Sequence, residues 1–247
     1  MKTYKIIFSP TGGTAKVADA ITKTWTETET IDLSKSSYNT SLEADSLALI
    51  AMPCFGGLAP QLALDRLAKI AANNCKCAIA VVYGNRAYDD TLIQLKDYAE
   101  NAGFKVIAAV SAIAEHSIVH AYAANRPDAK DCEQLCNYGA QILEKAAEDG
   151  GNLSVPGNKP YKKSGSAMVP KANPSCTACG LCANSCPAGA IDPANPRVTD
   201  KSKCIGCMRC VSICPAKARG LNPIMTKIAG IALKKACSKE KQNELFI

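Results

Sequence analysis

Eight of the 14 cysteines fall into two runs whose spacing is suited to binding a metal cluster. Each run has the form C-x2-C-x2-C-x3-C-P, and the runs begin at Cys176 and Cys204. Three thiolates spaced in this way wrap a tight loop around three corners of a cube, and the fourth corner needs a ligand from elsewhere. Structural zinc sites typically use paired C-x2-C units. The runs therefore predict iron–sulfur chemistry rather than zinc or disulfides.

Residues 173–222 resemble the bacterial ferredoxins that carry two [4Fe–4S] clusters, in which the fourth cysteine of each run binds the other cluster. The resemblance implies a small α+β domain. It also implies one cluster bound by Cys176, Cys179, Cys182 and Cys214, and a second bound by Cys204, Cys207, Cys210 and Cys186. Small residues between the ligands, such as Gly180 and Gly206, let backbone N–H groups approach the sulfurs.

A second candidate site follows the first apolar run, residues 5–8. The loop there contains Ser9, Thr11, Gly12, Gly13 and Thr14 and opens directly into a helical pattern. Hydroxyls and free amides at a helix N-terminus bind anions, and the glycines let the backbone curl around a phosphate. The loop lacks the G-x4-G-K-[ST] and G-x-G-x-x-G patterns, which argues against a nucleoside triphosphate or a Rossmann dinucleotide. An ordinary capped helix is the alternative.

This loop resembles the flavodoxin phosphate loop, [ST]-x-T-G-x-T, and the resemblance implies FMN with its phosphate held by neutral donors. In flavodoxins the loops after the third and fourth strands flank the flavin, and residues 53–58 and 83–90 match them in position. The implied FMN-binding residues are Ser9, Thr11, Gly12, Gly13, Thr14, Pro53, Cys54, Phe55, Gly56, Gly57, Tyr83, Gly84, Asn85, Arg86, Tyr88 and Asp89.

The aromatic residue that stacks on the flavin is left open. Many flavodoxins use a Trp, but the single Trp of this chain, Trp25, lies at the end of the first helix. Phe55, Tyr83 and Tyr88 are the candidates. Over residues 1–222 the chain is similar to flavodoxin–ferredoxin fusion proteins of anaerobes, and residues 83–90 (YGNRAYDD) are the most distinctive shared stretch.

Five apolar strand-like runs alternate with helical patterns in the first 150 residues, which predicts an α/β domain with a parallel, doubly wound sheet. The flavodoxin resemblance implies the strand order 2-1-3-4-5. We expect four regions: the FMN-binding domain (1–150), a Gly-, Pro- and Lys-rich linker (151–172), the ferredoxin domain (173–222) and a basic helical tail (223–247). In the tail, Ile224–Lys241 predicts an amphipathic helix packed on the ferredoxin domain, with membrane-surface docking as the alternative.

The net charge of +7 is concentrated at one end of the chain. Residues 1–150 have 14 basic and 18 acidic side chains, whereas residues 151–247 have 15 and 4. Two clusters and an FMN phosphate would offset most of this excess, so the charge does not indicate nucleic-acid binding. No apolar stretch is long enough for a transmembrane segment. Without a targeting pattern, we expect a cytoplasmic protein in a reducing compartment.

Together these sites predict an electron-transfer protein that links FMN to two [4Fe–4S] clusters and to a redox partner, such as a ferredoxin or a low-potential oxidoreductase. The flavin and a cluster would meet within one chain or across a homodimer. One alternative is an FMN-dependent reductase of a small molecule, for which Asn85, Arg86 and His116 are the polar candidates near the flavin. Another is a redox sensor with an empty flavodoxin domain. No residue is assigned a catalytic role, so whether the chain is an enzyme is left open.

Overall fold

The structure, a computed structural model, describes residues 1–148, 153–163, 165 and 168–247. Strands and helices alternate in residues 1–148, as the apolar runs predict. They are β1 (Thr3–Ile7), α1 (Gly13–Ile21), β2 (Thr28–Asp32), β3 (Leu47–Pro53), α2 (Gln61–Leu67), β4 (Lys76–Tyr83), α3 (Thr91–Asn101), β5 (Lys105–Ile113) and α4 (Ala129–Ala146).

The first five strands pair in parallel in the order β2-β1-β3-β4-β5, which confirms the predicted flavodoxin-like α/β fold. The central strands are apolar on both faces because helices cover both sides of the sheet. Ile50 belongs to the core under α2 and α3, whereas its neighbour Leu49 belongs to the core under α1 and α4. The carboxyl ends of the strands, and the loops that follow them, lie at one edge of the sheet.

Residues 168–222 form a small α+β unit around the two cysteine runs, which we call the ferredoxin unit. It contains β6 (Lys171–Ala172), α5 (Leu181–Asn184), α6 (Arg209–Ser212) and β7 (Arg219–Gly220), and β6 and β7 pair antiparallel. Its buried apolar cluster contains Cys182, Ala183 and Ile191. So small a core provides little stability by itself. Groups bound to the cysteines would supply most of the cross-linking in this unit.

The predicted linker is attached to the sheet domain in the part that the structure describes. We call residues 153–163 the strap; positions 151, 152, 164, 166 and 167 of the predicted linker lie outside the described residues. Leu153 and Val155 pack against the core under α2 and α3. The Asp90 carboxylate accepts hydrogen bonds from the backbone N–H groups of Asn158 (2.9 Å) and Lys162 (2.8 Å). Composition alone does not indicate these contacts.

The C-terminal tail differs from its prediction. Helix α7 spans Pro223–Leu233, so the prediction of one helix as far as Lys241 is wrong in its second half. The Tyr122 hydroxyl, in the loop after β5, donates a 2.7 Å hydrogen bond to the Gly230 carbonyl, so α7 contacts the sheet domain.

The end of the tail adds a strand that the sequence analysis did not predict. Strand β8 (Glu244–Phe246) pairs antiparallel with β5 and becomes the sixth strand of the sheet. Three residues are too few to show a strand periodicity. Residues 244–246 form a strand because they pair with the free backbone N–H and C=O groups at the edge of β5.

Candidate functional site

The loop between β1 and α1 has the form expected of an anion site. Gly12 has a φ of 93°, a left-handed conformation that favours glycine, and it immediately precedes the helix. The Ser9 hydroxyl accepts a 2.9 Å hydrogen bond from the Ala15 N–H and so closes the loop. The Thr11 and Thr14 side chains belong to the wall of an adjacent cavity. Hydroxyls and helix N-terminal amides therefore border that cavity, which is the arrangement that binds phosphate.

The loop after β3 makes a tight hairpin turn beside this cavity. Phe55 and Leu58 exchange backbone hydrogen bonds (2.8 and 3.4 Å), with Gly56 and Gly57 between them at φ 65° and 97°. Positive φ at both central residues is typical of two-residue hairpin loops and explains the paired glycines. The turn leaves Phe55 half-buried in the cavity wall.

The ends of β4 and β5 form another wall of the cavity. A Cβ atom on Gly84 would lie 2.7 Å from the side chain of His116, so only glycine allows the two loops to approach this closely. Tyr83 also lines the cavity and packs edge-to-face on Tyr88, with ring centroids 5.3 Å apart. Of the three aromatic candidates, the structure thus places Phe55 and Tyr83 at the cavity. Trp25 is buried in the core and donates a hydrogen bond to the Gly139 carbonyl.

The cavity formed by these loops has a volume of about 430 Å³, within the range of small-molecule sites. It contains nine of the residues predicted to bind FMN: Thr11, Gly13, Thr14, Pro53, Cys54, Phe55, Gly56, Tyr83 and Gly84. The loops after β1, β3 and β4 therefore meet at one place, as expected for the carboxyl edge of a doubly wound sheet. We call this space the flavin cavity.

The other predicted FMN-binding residues do not line the cavity: Ser9, Gly12, Gly57, Asn85, Arg86, Tyr88 and Asp89. Ser9 closes the phosphate loop by accepting the Ala15 N–H, and Gly12 provides the left-handed backbone conformation before α1. Asn85 and Tyr88 instead contact the C-terminal tail, and Arg86 and Asp89 form an ion pair. Their roles as FMN contacts remain predictions.

The cavity wall also contains residues outside the predicted FMN-binding set, among them His116, which the sequence indicates only as a polar candidate for the reductase alternative. Gln94 is buried there, and its Oε1 atom accepts a 2.9 Å hydrogen bond from the Ala59 N–H. Residues 114–118 follow β5 at the same sheet edge, so the rule applied to the earlier strands also predicts their position. Ile205 and Gly206 come from the ferredoxin unit. No local pattern indicates that these two residues would reach the sheet domain.

The protonation of the half-buried His116 is set by its surroundings. Its Nδ1 atom accepts hydrogen bonds from the backbone N–H groups of Ile118 (3.2 Å) and Val119 (3.1 Å). Burial, and then the nearby charges of His120 and Arg86, lower the pKa of His116. The ring is therefore neutral at pH 7 and carries its proton on Nε2. It offers one fixed N–H donor in the cavity wall.

The cysteines meet in the two quartets that the ferredoxin resemblance implies. One cavity is lined by Cys176, Cys179, Cys182 and Cys214, and a second by Cys186, Cys204, Cys207 and Cys210. We call these the outer and inner quartets. In each, the first three cysteines of one run are joined by the fourth cysteine of the other run.

Backbone amides point at the fourth cysteine of each run in the same way. The N–H of Ala190 lies 3.3 Å from the Cys186 sulfur, and the N–H of Ala218 lies 3.3 Å from the Cys214 sulfur. Hydrogen bonds of this kind stabilise a thiolate and tune the potential of a bound cluster. The repeated geometry suits thiolates at both positions.

A buried cation lies between the quartets. Arg219 is 4% exposed, lines the cavity of the outer quartet, and donates a 2.9 Å hydrogen bond to the Thr199 hydroxyl. Its Nε atom has no hydrogen-bond partner among the described residues, and none of their ion pairs includes it. A buried guanidinium without a counter-charge is unfavourable. An anionic iron–sulfur cluster would provide that charge, so the residues present fit the group.

Two thiols of the inner quartet, those of Cys207 and Cys210, depend on such a group for their ionisation. Burial raises the pKa of both Cys207 and Cys210 to about 11, and the Arg219 charge opposes this effect at Cys210. Metal binding deprotonates coordinating thiols. Among the described residues, no three His, Cys, Asp or Glu side chains are placed to hold a single metal ion. A cubane is a different kind of site, because each of its irons takes one protein thiolate.

Ile205 connects the two candidate sites. It lies between Cys204 and Cys207 and lines both the flavin cavity and the cavity of the inner quartet. Arg66 of α2 holds the unit nearby, because its guanidinium donates to the carbonyls of Leu33 (2.6 Å) and Pro187 (2.7 Å). Ile205 is thus a shared wall residue of the inner quartet and the flavin cavity.

Comparison with known proteins supports the assignment of the C-terminal region. The family model described as a 4Fe-4S dicluster domain matches residues 168–230, which include both quartets. This match supports iron–sulfur binding by that part of the chain. No curated protein matches the chain. In the described residues, no helix is long and apolar enough to cross a membrane.

Among solved structures, the chain is similar to an archaeal flavodoxin at 15% identity, with a TM-score of 0.43 and coverage of 60% of this chain and 100% of that one. It is also similar to a Fusobacterium nucleatum flavodoxin bound to flavin mononucleotide, at 16% identity, a TM-score of 0.40, and coverage of 59% and 99%. An azoreductase from Bacillus anthracis is similar at 9% identity, a TM-score of 0.34, and coverage of 59% and 97%. The fold assignment follows from the strand order and the parallel pairing.

Proposed function

We propose that this chain, which joins a flavodoxin-like domain to a 4Fe–4S dicluster domain, is an electron-transfer flavoprotein with FMN in the flavin cavity and a [4Fe–4S] cluster in each quartet. The observation that carries the proposal is the position of Ile205 in the walls of both the flavin cavity and the inner quartet. FMN exchanges one or two electrons and each cluster exchanges one, so the bound groups would connect pairwise to single-electron chemistry.

The residues of the flavin cavity suit the two ends of FMN. Thr11, Thr14 and the amides at the start of α1 would hold the phosphate. Phe55 and Tyr83 offer aromatic surfaces for the ring system. His116 offers its Nε2–H as a donor whose tautomer is fixed by the backbone. These assignments use residues from all the loops that meet at the cavity.

The two quartets would have different roles. The inner quartet shares the Ile205 wall with the flavin cavity, whereas the outer quartet includes the exposed Cys179. Leu181, two residues after Cys179, is also exposed. An external redox partner would therefore exchange electrons at the outer quartet, and the inner quartet would connect that point to the flavin cavity.

Contacts on both sides of the ferredoxin unit favour exchange within one chain over exchange across a homodimer. The strap before the unit is bound by Asp90, and the tail after it is bound by Asn85 and by β5. These attachments keep the inner quartet beside its own flavin cavity.

Anaerobic purification followed by iron, sulfide and flavin analysis tests the proposal. We expect about eight irons and one FMN per chain, since each [4Fe–4S] cluster contains four irons. Iron without flavin, even after incubation with FMN, would favour a sensor with an empty flavodoxin domain. A preparation that holds neither iron nor flavin would refute the proposal.

Stopped-flow mixing with a reduced ferredoxin tests the roles of the quartets. C204S, which alters the inner quartet, should abolish flavin reduction, whereas wild-type protein should reduce its flavin. C132S is the matched control, because Cys132 lies on α4 outside both quartets. Unchanged flavin reduction in an iron-depleted C204S protein would contradict the assigned role of the inner quartet.

A small-molecule reductase is the second candidate function. It is favoured by His116, which places a fixed N–H donor in the cavity wall. Asn85 and Arg86, the other polar candidates, are occupied by the tail and by Asp89. Steady-state consumption of an added acceptor by the reduced holoprotein would support this function over that of a carrier.

A further inference from the structure

The ferredoxin unit contributes a positive charge to the phosphate loop of the other domain. Arg209 lies between Met208 and Cys210, and its Nη1 atom lies 3.4 Å from the carbonyl oxygen of Pro10. Pro10 lies within the predicted phosphate loop. The same arginine also lines the cavity of the inner quartet. Its side chain therefore reaches from the inner quartet to the backbone of the phosphate loop, although Arg209 is not part of the flavin-cavity wall.

The guanidinium of Arg209 is incompletely paired. Its Nε atom is buried and has no hydrogen-bond partner in the described part of the chain. None of the ion pairs found there includes Arg209. By contrast, Arg66, which also lies between the domains, donates hydrogen bonds to the carbonyls of Leu33 and Pro187. A buried donor without a partner is unfavourable, so the position of Arg209 favours an anionic partner.

Arg209 would add a positive charge to a phosphate loop that has none of its own. Residues 9–14 contain no Lys or Arg, so the loop itself provides only hydroxyl and backbone donors. A phosphate monoester carries nearly two negative charges at neutral pH. The planar fork of an arginine binds phosphate oxygens in pairs and is the side chain best suited to such a group.

We infer that Arg209 is a phosphate-binding residue for FMN, supplied to the phosphate loop by the ferredoxin unit. The inference rests on the proposed function, which places FMN in the flavin cavity. FMN would then contact both domains, and its tight binding would require a docked ferredoxin unit. Riboflavin, which lacks the phosphate, would not use Arg209.

The test compares FMN with riboflavin on flavin-free protein whose clusters are intact, under anaerobic conditions. R209Q should weaken FMN binding roughly 10- to 100-fold, as expected for a lost hydrogen bond to a charged group, and should change riboflavin binding by less than about twofold. R209K retains the charge without the fork and should weaken FMN binding by an intermediate factor. R197Q is the matched control, since Arg197 lies in the same ferredoxin unit but donates to the Cys176 carbonyl in the outer quartet, and this variant should leave the affinity for both flavins unchanged.

The outcomes separate this inference from the proposed function. Wild-type protein that binds neither flavin would refute the proposed function. Wild-type protein that binds FMN, with R209Q unchanged or with FMN and riboflavin weakened equally, would overturn the role of Arg209 alone.

A measurement on wild-type protein covers the case in which R209Q does not fold. Phenylglyoxal modifies accessible arginines, and peptide mass spectrometry locates the modified residues. FMN should protect Arg209 from modification and riboflavin should not. Equal protection by both flavins, or by neither, would also overturn the inference.

Discussion

The Oδ1 atom of Asn85 accepts a 3.0 Å hydrogen bond from the backbone N–H of Lys241, which ties the loop after β4 to the C-terminal tail. The Nδ2 atom of Asn85 donates to the carbonyls of Cys237 (3.1 Å) and Lys239 (3.0 Å). Asn85 is buried, so each of these backbone groups would lose its partner if the side chain were removed. This residue, predicted from its position to flank a flavin, thus anchors the last residues of the chain.

Removing the Asn85 side chain should loosen the tail. We expect N85G to lower the free energy of unfolding by about 1–3 kcal/mol, because the three hydrogen bonds of a buried side chain to the tail backbone are lost. N85A should be less stable than N85G, since Asn85 has a φ of 65°, which glycine adopts without strain. Urea unfolding gives the stability, and hydrogen exchange of residues 237–247 locates the effect. Unchanged exchange protection in N85G would show that the tail does not depend on Asn85.

The buried pair of Arg126 and Asp131 predicts a specific pH dependence of stability. Burial alone would raise the pKa of Asp131, but hydrogen bonds from Arg126, the Asp128 N–H and Asn243 outweigh it, and the pKa is lowered. The folded state then binds fewer protons than the unfolded state near pH 4. The contribution of Asp131 is therefore present above the unfolded pKa of about 3.9 and is lost as the pH falls through the folded value.

The D131N variant tests the predicted direction of this pH dependence. At pH 7 it should be less stable than wild type by about 3–5 kcal/mol, because the buried Arg126 would keep only the exposed Glu240 as a charge partner. The difference should shrink as the pH falls below about 4. D19N is the control, since Asp19 pairs with Lys5 at the surface and should contribute less than about 1 kcal/mol. A gap between wild type and D131N that widens towards low pH would contradict the prediction.

FMN binding should depend on the protonation of His116. Burial lowers the pKa of this residue below the ordinary histidine value of about 6.5, so FMN affinity should be constant above that pH and should fall only in more acidic solution. A protonated Nδ1 cannot accept the Ile118 and Val119 N–H groups, and the wall they form would shift.

Two variants separate this effect from titration of the FMN phosphate. H116Q removes the titrating ring, so its pH profile should contain only the contribution of the phosphate. H120Q removes a nearby charge that helps to lower the pKa of His116, so it should move the fall in affinity to higher pH without abolishing it. The measurement is the FMN dissociation constant at each pH. Identical profiles for wild type and H116Q would exclude His116 as the titrating group.

The sequence predicts the sheet better than it predicts the contacts between domains. Residues 47–52 are apolar at every position and form a central strand that is buried on both faces, so composition alone indicates their place. Ligand spacing is a local property, so the cysteine runs predict two cluster sites, whereas the crossing of the fourth cysteines is what the ferredoxin resemblance implies. Ile205 and Arg209 lie within one of those runs, yet their contacts with the sheet domain depend on how the ferredoxin unit docks. The stretch at residues 85–89 looks like part of a flavin loop, and its contacts with the tail involve residues some 150 positions away.

The crossing of the fourth cysteines can be tested by combining substitutions. Cys214 lines the outer quartet with Cys176 and Cys179, although it is the fourth cysteine of the other run. The double variant C176S/C179S should lose the outer cluster and retain about four irons. Adding C214S should then change nothing, because its partners are already absent. Adding C186S instead should remove the remaining iron, because Cys186 completes the inner quartet. Iron and sulfide analysis of the anaerobic proteins measures both outcomes. If each run bound its own cluster, the results would be reversed: C186S would be silent in the double variant, and C214S would empty the protein.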